Sequence, residues 1–200
     1  MVKFKDRKFI AVEPSKCTGC SLCEYVCALE KKETVWNPLR SRIRVIRVTP
    51  AFNLAMACRF CEDAPCIKAC PRDALIQSEE NGIIKVNEVK CDGCGWCVQA
   101  CPYGGIAVHP DKKSVLVCDL CDGKPQCIEF CPEEALELVI SDEEANRKLA
   151  MALGKLPAEI ERLSNLAKGK AWNTLLAEAE GKAKRLSAKL EALNKKWTMK

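Results

Sequence analysis

The chain has 200 residues, enough for one or two small domains, and is 48% hydrophobic but only 6% aromatic. Sixteen of those apolar positions are cysteines, and the N-terminus, MVKFKDRKFI, has no apolar core of the length an export signal needs. A secreted disulfide scaffold is therefore disfavoured, and no run approaches the roughly 20 apolar residues of a membrane span. The expectation is a cytoplasmic protein with no direct membrane span. Charge divides unevenly: residues 141–200 carry 13 Lys and Arg against 8 Asp and Glu, leaving 19 of each sign in residues 1–140.

All sixteen cysteines fall between Cys17 and Cys131, in four repeated units. The first is Cys17-x2-Cys20-x2-Cys23-x3-Cys27, followed by Ala28. Next comes a strand candidate over Ile43–Val48, studded with Arg42, Arg44 and Arg47. The second unit is Cys58-x2-Cys61-x4-Cys66-x3-Cys70-Pro71. Leu75–Ile76, Asn81-Gly82 and Ile83–Val86 then read as a hairpin with an Asn-Gly turn. The third unit is Cys91-x2-Cys94-x2-Cys97-x3-Cys101-Pro102, and Ile106–Val108 with Val115–Val117 reads as another hairpin, containing His109. The fourth is Cys118-x2-Cys121-x5-Cys127-x3-Cys131-Pro132, followed by the apolar segment Ala135–Leu138.

Beyond Ile140 the composition turns to Ala, Leu, Lys and Glu without cysteine, which places a domain boundary there. Ser141 with Glu144 forms a capping-box pattern. Pro157 is expected at the first turn of a second helix. From Trp172 a seam of Trp172, Leu176, Ala179, Ala183, Leu186, Leu190, Leu193 and Trp197 repeats at alternating spacings of four and three. It can close on the preceding helix, dock on a partner or pair with a second copy.

The cysteine spacing carries the chemistry. A tight CxxCxxC loop presents three thiolates to one face of an iron–sulfur cube. In two-cluster ferredoxins the fourth cysteine, three residues on and followed by Pro, ligates the other cluster. Zinc sites show two separated CxxC pairs per ion instead. Four repeats with no cysteine left over thus indicate four [4Fe–4S] clusters. An oxidised cube with four thiolates carries about −2, so the loaded region is acidic, while the +5 of the tail reads as a solvated helical face or, alternatively, as a surface drawn to that region. Gly19, Gly93 and Gly95 allow backbone amides to approach the cubes. Trp96 and Tyr103 are read as shielding a cube from water, and His109 as a hairpin residue.

On these motifs the chain resembles the four-cluster ferredoxin-type electron-transfer subunits of molybdenum and tungsten enzymes. Those are the iron–sulfur subunits of the dimethyl-sulfoxide reductase and formate dehydrogenase type, and the small polyferredoxin subunits of tungsten aldehyde oxidoreductases. The resemblance covers about residues 9–140 and departs from the pattern at Ala28, where the other units have Pro. It implies an α+β fold of two interleaved bacterial-ferredoxin-like modules, with small β-hairpins and short helices. To this is added a helical extension over 141–200.

The resemblance also implies a pairing of units. Cys17, Cys20 and Cys23 would bind with Cys131, and Cys118, Cys121 and Cys127 with Cys27. Cys58, Cys61 and Cys66 would bind with Cys101, and Cys91, Cys94 and Cys97 with Cys70. The rival is a sequential pairing of unit one with two and three with four.

The chain has no GxGxxG or P-loop fingerprint and no Ser-His-Asp set, so no catalytic residue is expected. The role implied is a non-catalytic electron-transfer subunit. It would relay electrons between a tungsten or molybdenum pterin aldehyde or formate oxidoreductase and a flavin subunit or ferredoxin. Alternatives are a hydrogenase-associated or free polyferredoxin, and an interaction protein with structural clusters. Nucleic acid is not an expected partner, since the acidic loaded region repels phosphate.

Overall fold

A computed structural model describes residues 4, 6–31, 37–49, 52–168 and 172–198. Four two-stranded antiparallel sheets and short helices occupy the cysteine region, giving an α+β architecture. The strands are β1 (Phe9–Val12), β2 (Arg44–Thr49), β3 (Phe52–Met56), β4 (Leu75–Gln77), β5 (Ile84–Val86), β6 (Ile106–Val108), β7 (Val115–Val117) and β8 (Leu136–Val139).

Two sheets are the hairpins expected from the turn residues. In β4–β5 the Asn81 side chain accepts from the Ile83 amide at 3.1 Å, and Gly82 takes the positive φ of +72° that the turn requires. In β6–β7 the buried His109 Nδ1 accepts from the Asp111 and Lys112 amides at 3.1 and 3.2 Å, so it organises the turn as expected. The Arg-studded segment forms β2, which pairs with β3 in a hairpin that alternation alone did not reveal.

The fourth sheet joins the ends of the cysteine region. β1 and β8 pair antiparallel with Phe9 opposite Val139 and Val12 opposite Leu136. Phe9 is fully buried in the main core, with Phe60 and Ile43. Arg7 secures this closure. Its guanidinium donates to the Arg59 carbonyl at 2.8 Å, the Phe60 carbonyl at 3.0 Å and Asp142 at 2.8 Å, and stands 4.8 Å from the Phe9 ring.

Each cysteine unit contributes a short helix: α1 (Leu22–Glu30), α2 (Pro65–Lys68), α3 (Trp96–Ala100) and α4 (Gln126–Glu129). α1 packs on α4 and α2 on α3. Unit one therefore lies with unit four, and unit two with unit three, rather than in sequential pairs.

The tail forms two 27-residue helices, α5 (Asp142–Lys168) and α6 (Trp172–Thr198). Ser141 caps α5 through the Glu143 amide at 3.2 Å, while Glu144 pairs with Lys148 rather than reaching back to complete a capping box. The expected break at Pro157 does not occur, and α5 runs through it. Pro removes one helical donor, but Pro157 and Leu153, four residues earlier, are exposed, so water can satisfy the freed carbonyl. Of the seam, Leu186 and Leu190 pack on Leu22, Val26 and Phe130 of the cysteine region. Leu176, Ala179 and Ala183 are exposed, and the side chains of Trp172, Leu193 and Trp197 lie outside the described residues. None of the helices is long and apolar enough to cross a membrane among the described residues.

Candidate metal centre

The loops are shaped by residues in the left-handed region. In units one, two and three the residue just before each helix, Ser21, Ala64 or Gly95, has φ of +63°, +33° or +82°. In unit four the longer Cys121–Cys127 gap moves this turn forward. There Leu120, Cys121, Asp122 and Gly123 all take positive φ, and α4 starts from Pro125 in an extended conformation. The bulge lengthens the loop without displacing its cysteines from the interior.

All sixteen cysteines are unpaired thiols, and they gather in fours. Cys17, Cys20, Cys23 and Cys131 line one cavity. Cys91, Cys94, Cys97 and Cys70 line a second. Cys27 lies within electrostatic reach of Cys118, Cys121 and Cys127. Cys101 lies within reach of Cys61 and Cys66, which neighbour Cys58. Four soft thiol donors lining one cavity, as in the Cys17 and Cys91 sets, fit an iron–sulfur cube.

The quartets also follow one another in space. Cys23 neighbours Cys127, and Cys58 neighbours Cys118. The interleaved helices α2 and α3 join the remaining two quartets. The resulting row runs from the Cys17 quartet through the Cys118 and Cys58 quartets to the Cys91 quartet. The two exposed cysteines, Cys20 and Cys94, belong to the quartets at its ends.

Backbone amides are aimed at the sulfurs. After each Cys-Pro, the fourth cysteine accepts from the amide four residues on: Cys70 from Ala74, Cys101 from Gly105 and Cys131 from Ala135, each at 3.3 Å. Unit one has Ala28 where the others have Pro, so α1 continues to Glu30 and Cys27 accepts instead from the Arg42 amide at 3.2 Å. Cys58 and Cys118 accept from Phe60 and Leu120 at 3.4 and 3.5 Å. Such bonds stabilise a thiolate and help set a cluster's potential.

Burial acts in the opposite direction on the bare thiols. It pushes Cys66 and Cys97 up to about 11 and Cys118 up to about 12. Cys23, Cys58 and Cys127 are also raised, burial again the main cause.

The β2–β3 hairpin contributes residues that cysteine spacing does not reveal. Glu24, buried in α1, accepts from the Val45 amide at 3.1 Å. Arg47 and Asn53, opposite one another across the hairpin, bind the unit-one loop. The run of arginines was the available signal, without a partner to attach it to. Trp96 is 62% exposed and so does not seal its loop from water. Tyr103 lies beneath the Arg59 guanidinium, at 4.2 Å.

Comparison with known proteins finds [4Fe–4S] proteins. The model of the 4Fe-4S dicluster domain matches residues 50–143, and that of a 4Fe-4S binding domain residues 14–30. The polyferredoxin-like subunit of an aliphatic sulfonate oxidoreductase from Pyrococcus furiosus is 45% identical over 138 residues, 68% of this chain and 79% of that protein. The chain belongs to the [4Fe–4S] ferredoxin-type electron-transfer family. Two further relatives come from Escherichia coli K12. The putative electron transport protein YsaA is 40% identical over 65% of this chain and 88% of its own length. The electron transport protein HydN is 35% identical over 64% of this chain and 86% of its own. The protein is a non-catalytic electron-transfer subunit of the oxidoreductase type, with sixteen cysteines for four [4Fe–4S] clusters.

Proposed function

We propose that the chain is a linear four-cluster relay in a cytoplasmic oxidoreductase complex, with residues 1–140 as the cluster-binding unit and 141–200 as a helical appendage. Cys17, Cys20, Cys23 and Cys131 hold one cluster, and Cys118, Cys121, Cys127 and Cys27 hold its neighbour. Cys58, Cys61, Cys66 and Cys101 hold the third, and Cys91, Cys94, Cys97 and Cys70 the fourth. Bound clusters supply one-electron carriage; the chain supplies their order, their insulation and the amides on their sulfurs. The observation that carries the reading is the placement of the two exposed cysteines, Cys20 and Cys94, in the terminal quartets. A row with an opening at each end suits transit between two partners better than storage.

The partner we favour is a tungsten or molybdenum pterin aldehyde or formate oxidoreductase, with a flavin subunit or ferredoxin at the other end. The oxidoreductase subunit from Pyrococcus furiosus supports a catalytic partner. Metal analysis of the natively purified complex tests the assignment. About sixteen iron per chain together with tungsten or molybdenum is expected. Nickel instead would redirect the partner to a hydrogenase, and eight iron or fewer would break the four-cluster reading. Cys131→Ser should perturb the cluster of Cys17, Cys20 and Cys23; damage confined to the clusters of units two and three would overturn the pairing.

A further inference from the structure

Units one and three have the same CxxCxxC spacing and stand at opposite ends of the row. Their loops share a backbone shape, with Gly19 and Gly93 at φ of +70° and +72°. What covers each loop differs. A Cβ at Gly93 would meet backbone of the β6–β7 turn, with Lys113 Cα at 3.3 Å and Ser114 N at 3.4 Å. A Cβ at Gly19 would instead meet side chains of the β2–β3 hairpin, with Asn53 Oδ1 at 2.8 Å and Arg47 Nε at 3.3 Å.

The hairpin grips unit one with two cross-strand pairs. Val45 and Ala55 line the cavity of Cys17, Cys20, Cys23 and Cys131. Two residues along each strand, Arg47 Nη2 donates to the Gly19 carbonyl at 2.6 Å and the Ser21 hydroxyl at 2.7 Å. Asn53, 3% exposed, donates to the Cys17 carbonyl at 3.1 Å. A guanidinium is thus fixed against the loop that carries Cys17, Cys20 and Cys23.

The other terminal loop holds the opposite charge. Asp92 occupies the place of Thr18, and its carboxylate accepts from the Cys94 amide at 3.2 Å. Each end also has a compensated ion pair: Arg72 with Asp92 at 3.5 Å, and Arg185 with Glu133 at 3.0 Å beside the Cys131 cavity. Beyond these pairs, unit one carries Arg47 on the Gly19 carbonyl and the Ser21 hydroxyl, and the buried carboxylate of Glu24 next to Cys23.

We propose that Arg47 is a positioning residue that raises the reduction potential of the cluster held by the unit-one loop, at the Cys20 end of the row. A fixed cation favours the reduced, more negative cluster, and net charge and hydrogen bonds around the sulfurs are what tune such potentials. This rests on the assignment of clusters to quartets above.

The test is an EPR-monitored potentiometric titration of the full-length, cluster-loaded chain at low ionic strength. Arg47→Gln should move one of four midpoint potentials to more negative values with iron content unchanged, and Arg47→Lys should restore it. Because Arg47 lies at the surface, added salt should shrink the difference. The shifted centre should be the one altered by Cys20→Ser. Four unmoved potentials in Arg47→Gln, an equal shift in Arg47→Lys, a shift in another centre, or loss of iron from Arg47→Gln would each overturn the proposal. Failure of the underlying assignment is distinguishable: Cys20→Ser and Cys131→Ser would then alter different centres.

Discussion

At the residue scale the chain places two opposed demands on its thiols. Burial stabilises the neutral thiol, whereas a metal needs the thiolate. Cys66 and Cys97 at about 11 and Cys118 at about 12, against an ordinary 9.0, remain protonated at neutral pH without iron. The sign of the pH dependence follows. A thiol raised in the folded state contributes stability that is fully present below pH 9 and is lost as pH rises through 9 toward 11–12. The reduced, cluster-free chain is therefore expected to unfold at progressively lower denaturant between pH 8 and pH 10.5, followed by circular dichroism. A midpoint constant across that window would contradict it. The loaded protein should not share this loss, since its ligands are already thiolates.

At the element scale the two modules interleave through close backbone contact, and Gly105 is the clearest case. Its amide donates to Cys101 Sγ, in the loop that follows Pro102. A Cβ there would meet Cys58 Cα at 2.6 Å, Cys58 N at 2.8 Å and the Ala57 carbonyl at 2.9 Å. None of those atoms is a flexible side-chain end. Gly105→Ala must push unit two from unit three, at a cost of about 2–3 kcal/mol typical of overpacking. Iron analysis and thermal unfolding should show a lowered midpoint and damage centred on the clusters of units two and three. Unchanged stability would show that the loops yield more easily than their contacts imply.

Elements differed in how readily they could be read from sequence. Cysteine spacing, the Asn81-Gly82 turn and the helical tail were legible because each signal is local. The β1–β8 closure was not, because Phe9–Val12 and Leu136–Val139 are short apolar segments whose match appears only when the two ends of the cysteine region meet. The roles of Arg42, Arg47 and Asn53 were hidden similarly: each acts on unit one, well back in the chain. Pro157 misled because its exposed surroundings tolerate a lost helical bond.

At the scale of the whole molecule the tail is more than an appended helix pair. α5 starts at Asp142, whose carboxylate binds Arg7 and stands 3.6 Å from Arg59, tying it to β1 and unit two. α6 returns to α1, the helix that carries Cys23 and Cys27, with Leu186 and Leu190 on Leu22, Val26 and Phe130. Arg185 binds Glu133 at the same place. Between the tail helices and the Cys17 loop lies an open cleft lined by Lys16, Thr18, Lys155 and Lys182. The tail thus borders the end of the row where Arg47 sits. Leu186→Glu with Leu190→Glu places two charges against an apolar patch and should release α6. Half-buried leucines of this kind contribute about 1–2 kcal/mol each. Protease cleavage within residues 141–200 should speed up while iron stays at about sixteen per chain. If iron is lost along with α6, residues 141–200 are part of the cluster-binding unit, and the proposed boundary near Ile140 fails.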